Sequence, residues 1–172
     1  MTSQESNANP RKIDIYALSA DQGGLEFEVS VADLPNLSSF LADDKGSLHV
    51  AYVGTKGAKG MPGGVLVMTG LLNLTCVTCG KPVVFEIDRE VPFLFAASQA
   101  ALDNLPVSDD MGYEVTVGSR EFDLVALVEE EAILSLPAYP KHRGCALKVK
   151  PLEEETSETK RFPFKHLKDL MH

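Results

Sequence analysis

The amino-acid sequence predicts an α+β protein, in which a mostly antiparallel β-sheet packs with one principal helix at about residues 123–136. Several stretches alternate apolar and polar side chains, which is typical of half-buried strands. One later stretch instead places apolar residues at helical spacing. A Cys-x-x-Cys motif lies between two of the strand-like stretches, so we expect a candidate zinc knuckle at a hairpin tip.

The first half of the chain provides two of the predicted strands. Residues 25–31 alternate as Leu-Glu-Phe-Glu-Val-Ser-Val, and residues 47–53 alternate in the same way. Between them, residues 33–41 are expected to form a short helix. Five glycines and one proline fall within residues 54–64. This composition predicts a flexible loop rather than a strand.

The second half of the chain provides the hairpin that carries the two cysteines. Residues 65–74 are predicted to form the strand that leads into the Cys-x-x-Cys motif, and residues 83–95 the strand that leaves it. Residues 113–117 and 120–122 are expected to form a further short strand pair. The sheet is therefore expected to be built largely from neighbouring segments of the chain.

The principal helix is predicted to begin after Asp123, whose side chain can accept a hydrogen bond from a free amide of the first turn. It ends before Pro137, because proline cannot continue the hydrogen-bond ladder of a helix. The acidic triplet Glu129-Glu130-Glu131 is expected to form a solvated and partly paired face of this helix. Within it, Glu131 falls on a more apolar side, where it can pair with a basic residue of the core. The buried side of the helix is expected to consist of Leu124, Leu127, Val128, Ala132 and Leu134.

Length and composition predict one globular domain at residues 13–150. We expect residues 1–12 to be a disordered N-terminal segment and residues 151–172 to be an acidic linker followed by a C-terminal docking segment. The chain has no long apolar run and no apolar leader-like stretch at its polar N-terminus. These features predict a cytoplasmic protein without a membrane span.

The three cysteines and one histidine form two half-sites of a candidate metal centre. Two thiolates separated by two residues can bind the same Zn²⁺ ion, because a tight turn aims both sulfurs inward. The first half-site is therefore Cys76 and Cys79, and the second is His142 and Cys145. With four protein ligands no coordination position stays open for water, so the sequence predicts a structural rather than a catalytic Zn²⁺ ion.

Two other interpretations of these cysteines remain open. The thiols can simply be reduced, with Cys145 as a small loop residue and Cys76 at the end of a strand. Alternatively, the Cys-x-x-Cys motif can carry out thiol–disulfide exchange. That chemistry usually depends on a helix N-terminus that lowers the pKa of the first thiol. Here Pro82 and a β-rich run follow the motif instead.

Charge is distributed unevenly along a chain whose net charge is −9. This balance argues against non-specific binding of nucleic acid through the whole surface. A local basic patch can still neutralise a few phosphates. Its candidate members are the basic residues near the second half-site and on the glycine-rich loop, namely Lys141, Arg143, Lys148, Lys150, Lys56 and Lys59. No nucleotide-binding glycine motif is present, and no catalytic residues are predicted.

The order of these motifs carries a family resemblance. A strand leads into the Cys-x-x-Cys motif, and after a long gap come residues 122–137, then Pro140-Lys141-His142 and a cysteine. Phe162-Pro163-Phe164 and Leu167 close the chain. This order resembles the YceD family, the large ribosomal RNA subunit accumulation proteins of bacteria and plastids. Where family members commonly have an arginine before the second cysteine, this chain has Thr78.

The resemblance implies a role in the accumulation of large-subunit ribosomal RNA and in assembly of the large ribosomal subunit. It implies no enzymatic activity, no small-molecule substrate and no membrane partner. The expected partners are a ribosomal RNA precursor, or ribosomal proteins and assembly factors. The net charge of −9 fits an acidic domain that docks on basic proteins somewhat better than one that binds RNA directly.

Overall fold

The computed structural model describes residues 9–57, 60–105 and 112–146. The strands are β1 (Gly24–Ser30), β2 (Ser47–Lys56), β3 (Pro62–Thr75), β4 (Pro82–Ala96) and β5 (Glu114–Val117). The helices are α1 (Ile15–Ala20), α2 (Pro35–Ser38), α3 (Gln99–Asp103) and α4 (Leu124–Ser135), with a 3₁₀ turn at Val31–Asp33. The expectations for residues 1–8 and 151–172 lie outside the described residues.

The five strands form one sheet in the order β1-β2-β3-β4-β5. The first four strands pair antiparallel with their neighbours, whereas β5 pairs parallel with the end of β4. The predicted α+β class with a mostly antiparallel sheet is therefore confirmed. No helix in the described part of the chain is long and apolar enough to span a bilayer.

The prediction that residues 113–117 pair with residues 120–122 is wrong. β5 pairs with Phe93–Ala96 of β4 instead of with residues 120–122. Phe122 makes only an isolated bridge with Ile13. Its ring meets Phe95 edge-on at a centroid separation of 5.4 Å, so this residue is held by packing against the core.

The glycine-rich stretch is also more ordered than its composition predicts. Gly54 ends up within β2, and Gly64 lies opposite it within β3. A Cβ atom on Gly54 would lie 2.1 Å from the backbone oxygen of Leu18, and one on Gly64 would lie 1.9 Å from the Tyr52 hydroxyl. These glycines therefore permit close packing of the strands against α1 and a buried ring.

Helix α4 follows the prediction at both ends. The Asp123 carboxylate accepts a hydrogen bond of 3.0 Å from the Ala126 amide, and the helix ends one residue earlier than expected. Four of the five expected core residues are buried, but the Leu134 side chain is 70% exposed. Leu134 lies roughly 120° around the helix from the centre of the buried arc, in the last turn. Val125, which is not among the five expected residues, is also buried.

The sheet has one covered face and one open face. The core contains strand residues such as Tyr52, Met68 and Ile87, together with Ile15 of α1 and Val128 of α4. Over most of each strand, the residues at alternate positions point away from the helices and are half-buried or exposed. At one end of the sheet the outward residues Gly63, Leu94 and Ala96 are buried. We call that second side the outer face of the sheet. Helix α1, which the sequence did not predict, begins after the capping carboxylate of Asp14.

Candidate metal centre

The first half-site lies at the tip of the β3–β4 hairpin, as the sequence predicts. Cys76 follows the last residue of β3, and Cys79 lies in the turn before β4. The Cys76 amide donates to the Lys81 carbonyl, and the Gly80 amide donates to the Cys76 carbonyl, both at 2.9 Å. Gly80 has a φ of +71°, a conformation that glycine adopts at little cost.

The second half-site lies in the irregular segment that follows α4. The Val77 amide donates to the Pro140 carbonyl at 2.9 Å, so this segment runs directly beside the hairpin tip. The Cys145 amide donates to the His142 carbonyl at 3.1 Å, which closes a short turn. Gly144 within that turn has a φ of +74°. Both half-sites are therefore hydrogen-bonded turns that contain a glycine with positive φ.

The structure brings the four predicted ligand side chains together. One ligand atom from each of Cys76, Cys79, His142 and Cys145 lies within 4.8 Å of all the others. The two Sγ atoms of Cys76 and Cys145 are 3.9 Å apart, and the Cys79 Sγ atom is 3.5 Å from His142 Nδ1. A tetrahedral zinc ion with Zn–S bonds of about 2.3 Å has S···S edges of about 3.8 Å and slightly shorter S···N edges. These two edges fit such an ion.

The His142 ring is oriented by a contact outside the cluster. Its Nε2 atom is 2.9 Å from the Pro82 carbonyl oxygen, which can only accept a hydrogen bond. Nε2 therefore carries the proton and donates it, which leaves Nδ1 with a free lone pair facing the sulfurs. Metal-ligating histidines commonly have such a second partner. Because this partner is a backbone carbonyl, no sequence motif could have identified it.

The thiols differ in their electrostatic environments. Burial raises the pKa of Cys76, but hydrogen bonds from the backbone amides of His142, Cys79 and Thr78 and from the Cys79 side chain outweigh it and lower the pKa to about 5. Burial, together with hydrogen bonds to the other two thiols, raises the pKa of Cys145 to about 11. Near neutral pH Cys76 is therefore a thiolate and Cys145 a protonated thiol, and a bound cation would displace the proton of Cys145.

The candidate phosphate-binding residues do not all lie together. Lys141 and Arg143 are exposed beside the cluster, but Lys56 is at the opposite end of β3 from the cysteines. A strand of that length separates the two ends by roughly 40 Å. Lys59, Lys148 and Lys150 lie outside the described residues. Among the described members, the structure therefore supports only the pair beside the cluster as neighbours.

Two glutamates of α4 are buried, of which Glu129 is hydrogen-bonded, whereas Oε2 of Glu131 makes no hydrogen bond with the described residues. Glu131 is 3% exposed, and one of its oxygens is 3.9 Å from Arg89 Nη2 of β4, in line with the expected basic partner. Burial and the neighbouring Glu114 carboxylate raise the pKa of Glu131 to about 7. Glu129 was expected on a solvated face, but it accepts hydrogen bonds from the amides of Asn36 and Leu37.

Fold and cluster together define a class of protein. It is a sheet protein in which a Cys₃His cluster that could hold a metal ion brings together the tip of the β3–β4 hairpin and the segment after α4. The sequence model of the family described as "Large ribosomal RNA subunit accumulation protein YceD" matches residues 66–171. The chain belongs to the YceD family. Neither curated proteins nor solved structures gave a match.

Proposed function

We propose that the chain is a non-enzymatic factor that supports accumulation of large-subunit ribosomal RNA and assembly of the large ribosomal subunit. The membership of the YceD family carries this proposal, because its matched range includes both half-sites and α4. We further propose that Cys76, Cys79, His142 and Cys145 hold one structural Zn²⁺ ion. The three cysteines are free thiols, and this agrees with a protein that functions in a reducing cytoplasm.

The geometry supports a structural metal better than thiol–disulfide exchange. Cys76 has the lowered pKa, but only 1% of its surface is accessible, so a protein disulfide could not reach its sulfur. A turn and then β4 follow the motif, and the helix N-terminus that usually activates such a thiol is missing from this part of the described chain. A zinc ion would use all three sulfurs and the free Nδ1 atom of His142.

A metal at this position would fix the segment after α4 to the hairpin. Among the described residues, one backbone hydrogen bond joins the two, from the Val77 amide to the Pro140 carbonyl. Structural zinc commonly contributes several kcal/mol to the folding of its site. Lys141 and Arg143 belong to the segment that would be fixed, so the ion would also hold their charges at one end of the sheet. A ribosomal partner would meet these charges in a defined arrangement.

Expression of the wild-type chain or of variants in cells from which the gene has been deleted tests the proposed function. The wild-type chain should restore the ratio of large- to small-subunit ribosomal RNA, whereas a Cys76→Ser/Cys79→Ser variant should restore it only in part. Val77→Ser is the matched control, because Val77 lies in the same turn, is 57% exposed and offers no metal ligand. An unchanged ratio in cells without the chain would contradict the ribosomal role. Full rescue by the double cysteine variant would show that the cluster is dispensable for it.

A further inference from the structure

An apolar stripe runs along the middle of the outer face of the sheet. Its residues lie on β2 and β3 and point away from the helices; they are Ala51, Val53, Val65, Val67 and Leu71. Val53 is 49% exposed and Leu71 is 60% exposed. Four of these residues are adjacent, and the paired His49 and Thr69 separate them from Leu71. An apolar surface left open on a sheet is typical of a site where another element packs. In the described part of the chain, no element covers this stripe.

Carboxylates line both sides of the stripe. On β4, Glu86 lies directly opposite Leu71, and Glu90 lies opposite Val67, with Asp88 between them on the same face. On β1, Glu26 and Glu28 occupy the corresponding outward positions. All five carboxylates belong to exposed residues. Among the described outward positions of β1–β4 there is no lysine or arginine, so every rim residue that carries a full charge is a carboxylate. At the end of the stripe formed by Val53 and Val65, the neighbouring rim positions are the uncharged Gly24 and Pro92.

The one basic group that the described residues place within this surface is already paired. His49 lies on β2 with its Nε2 atom 2.9 Å from Glu26 Oε1. In the part of the chain that the structure describes, no comparable cation lies beside the three carboxylates of β4 on this face. Arg89 of the same strand points to the opposite face, where it meets Glu114 and Glu131. The acidic row on β4 therefore has no basic partner among the described residues of its own face.

The dimensions of this surface fit one helix. Adjacent strands are about 4.8 Å apart, so the acidic rows on β1 and β4 are separated by about 14 Å. An α-helix with its side chains is about 10–12 Å across and can lie between the rows. The stripe from Val65 to Leu71 is about 20 Å long, which corresponds to roughly 13 helical residues.

We propose that the outer face binds a basic amphipathic helix of a partner protein. Its apolar side would cover the stripe, and lysines or arginines on both flanks would reach the carboxylates of β1 and β4. An RNA backbone does not fit here, because the five carboxylates repel phosphates. This binding site rests on the proposed ribosomal function only for the expectation that the partner is a ribosomal protein or an assembly factor.

Titration of the ¹⁵N-labelled full chain with a synthetic peptide tests the proposal by NMR. The probe is a 14-residue amphipathic helix with leucines on one side and lysines and arginines on both flanks. We expect signal shifts confined to the outer face and an affinity that falls as salt concentration rises. The Glu86→Lys/Asp88→Lys/Glu90→Lys variant should bind about tenfold more weakly, because it reverses one acidic row.

The matched control reverses three exposed carboxylates elsewhere, in an Asp21→Lys/Asp44→Lys/Glu130→Lys variant with the same change in net charge. Equal weakening in both variants would show a non-specific charge effect and overturn the proposal. A Leu71→Ser variant of the full chain should also weaken binding, because the apolar contact is lost. A peptide that shifts only signals away from the outer face would overturn the proposal as well.

The same spectra also test whether one of two other occupants covers the outer face. If a Lys160→Glu/Arg161→Glu/Lys165→Glu variant shifts outer-face signals without peptide, the chain's own basic segment occupies this surface and the proposal is wrong. If those signals depend on protein concentration, a second copy occupies it, which also contradicts the proposal. Rescue of ribosomal RNA by the wild-type chain is measured separately, so failure of peptide binding is distinguishable from failure of the proposed function.

Discussion

Replacement of Glu129 by alanine should weaken the contact between α2 and α4. Its Oε1 atom accepts hydrogen bonds from the backbone amides of Asn36 at 2.7 Å and Leu37 at 3.0 Å. Its Oε2 atom accepts a third, of 2.9 Å, from the Asn36 side chain. Pro35 begins α2, and no side chain of the preceding residue caps it. The carboxylate of α4 therefore satisfies the free amides at the start of α2.

The size of the effect follows from these contacts. Glu129 is 8% exposed, so water cannot readily replace the lost acceptor at Leu37, which is fully buried. A hydrogen bond to a charged group contributes about 1.5–3 kcal/mol, and contributions to one shared carboxylate do not add fully. We therefore expect the free energy of unfolding to fall by about 3 kcal/mol. For a chain of this size the corresponding fall in Tm is roughly 6–12 °C.

Urea denaturation of the wild-type chain and two variants measures this effect. Glu130→Ala is the matched control, because Glu130 is the next residue of the same helix and is exposed. It should change the free energy of unfolding by less than about 0.5 kcal/mol. A loss below about 1 kcal/mol for Glu129→Ala, or a loss equal to that of the control, would refute the capping role of this carboxylate.

Two other predictions concern buried groups. The folded state raises the pKa of Glu131 from 4.5 to about 7, so its stabilising contribution is complete below about pH 4.5 and is lost as pH rises through 7. Glu131→Gln should remove up to about 3 kcal/mol of this pH dependence, measured by denaturation from pH 4.5 to 8, and an unchanged slope would contradict the assignment. Gly54→Ala should lower the free energy of unfolding by about 3 kcal/mol, because the added Cβ atom would lie 2.1 Å from the Leu18 backbone oxygen. A Tm within about 2 °C of the wild type, which corresponds to a loss of roughly 1 kcal/mol or less, would contradict that clash.

The parts of the fold that depend on local pattern could be predicted from the sequence. Alternation of side chains predicts β1 to β4, and the position of Cys76 and Cys79 between two such stretches predicts the hairpin tip. The N-cap at Asp123 and the stop at Pro137 predict α4 to within one residue. Each of these signals lies within a few residues of the element that it specifies.

The features that were missed depend on distant parts of the chain. The four residues of β5 pair with β4 across a long connection, and nothing in so short a segment distinguishes a parallel from an antiparallel partner. Glu129 looks like a member of a solvated acidic triplet until α2 is placed beside it. Gly54 looks like a loop glycine until Leu18 is placed against it. In each case a tertiary contact determines the role of the residue.

X-ray absorption at the zinc edge on the purified full chain tests directly whether the four side chains of the candidate metal centre bind one zinc ion. The four side chains that lie within 4.8 Å of one another should give one zinc per chain, with three sulfurs at about 2.3 Å and one nitrogen at about 2.0 Å. Cys145→Ser should reduce the sulfur count to two or abolish binding. A folded wild-type chain that binds no zinc after exposure to the metal, and whose exposed Cys79 thiol is open to alkylation, would contradict the presence of a zinc site.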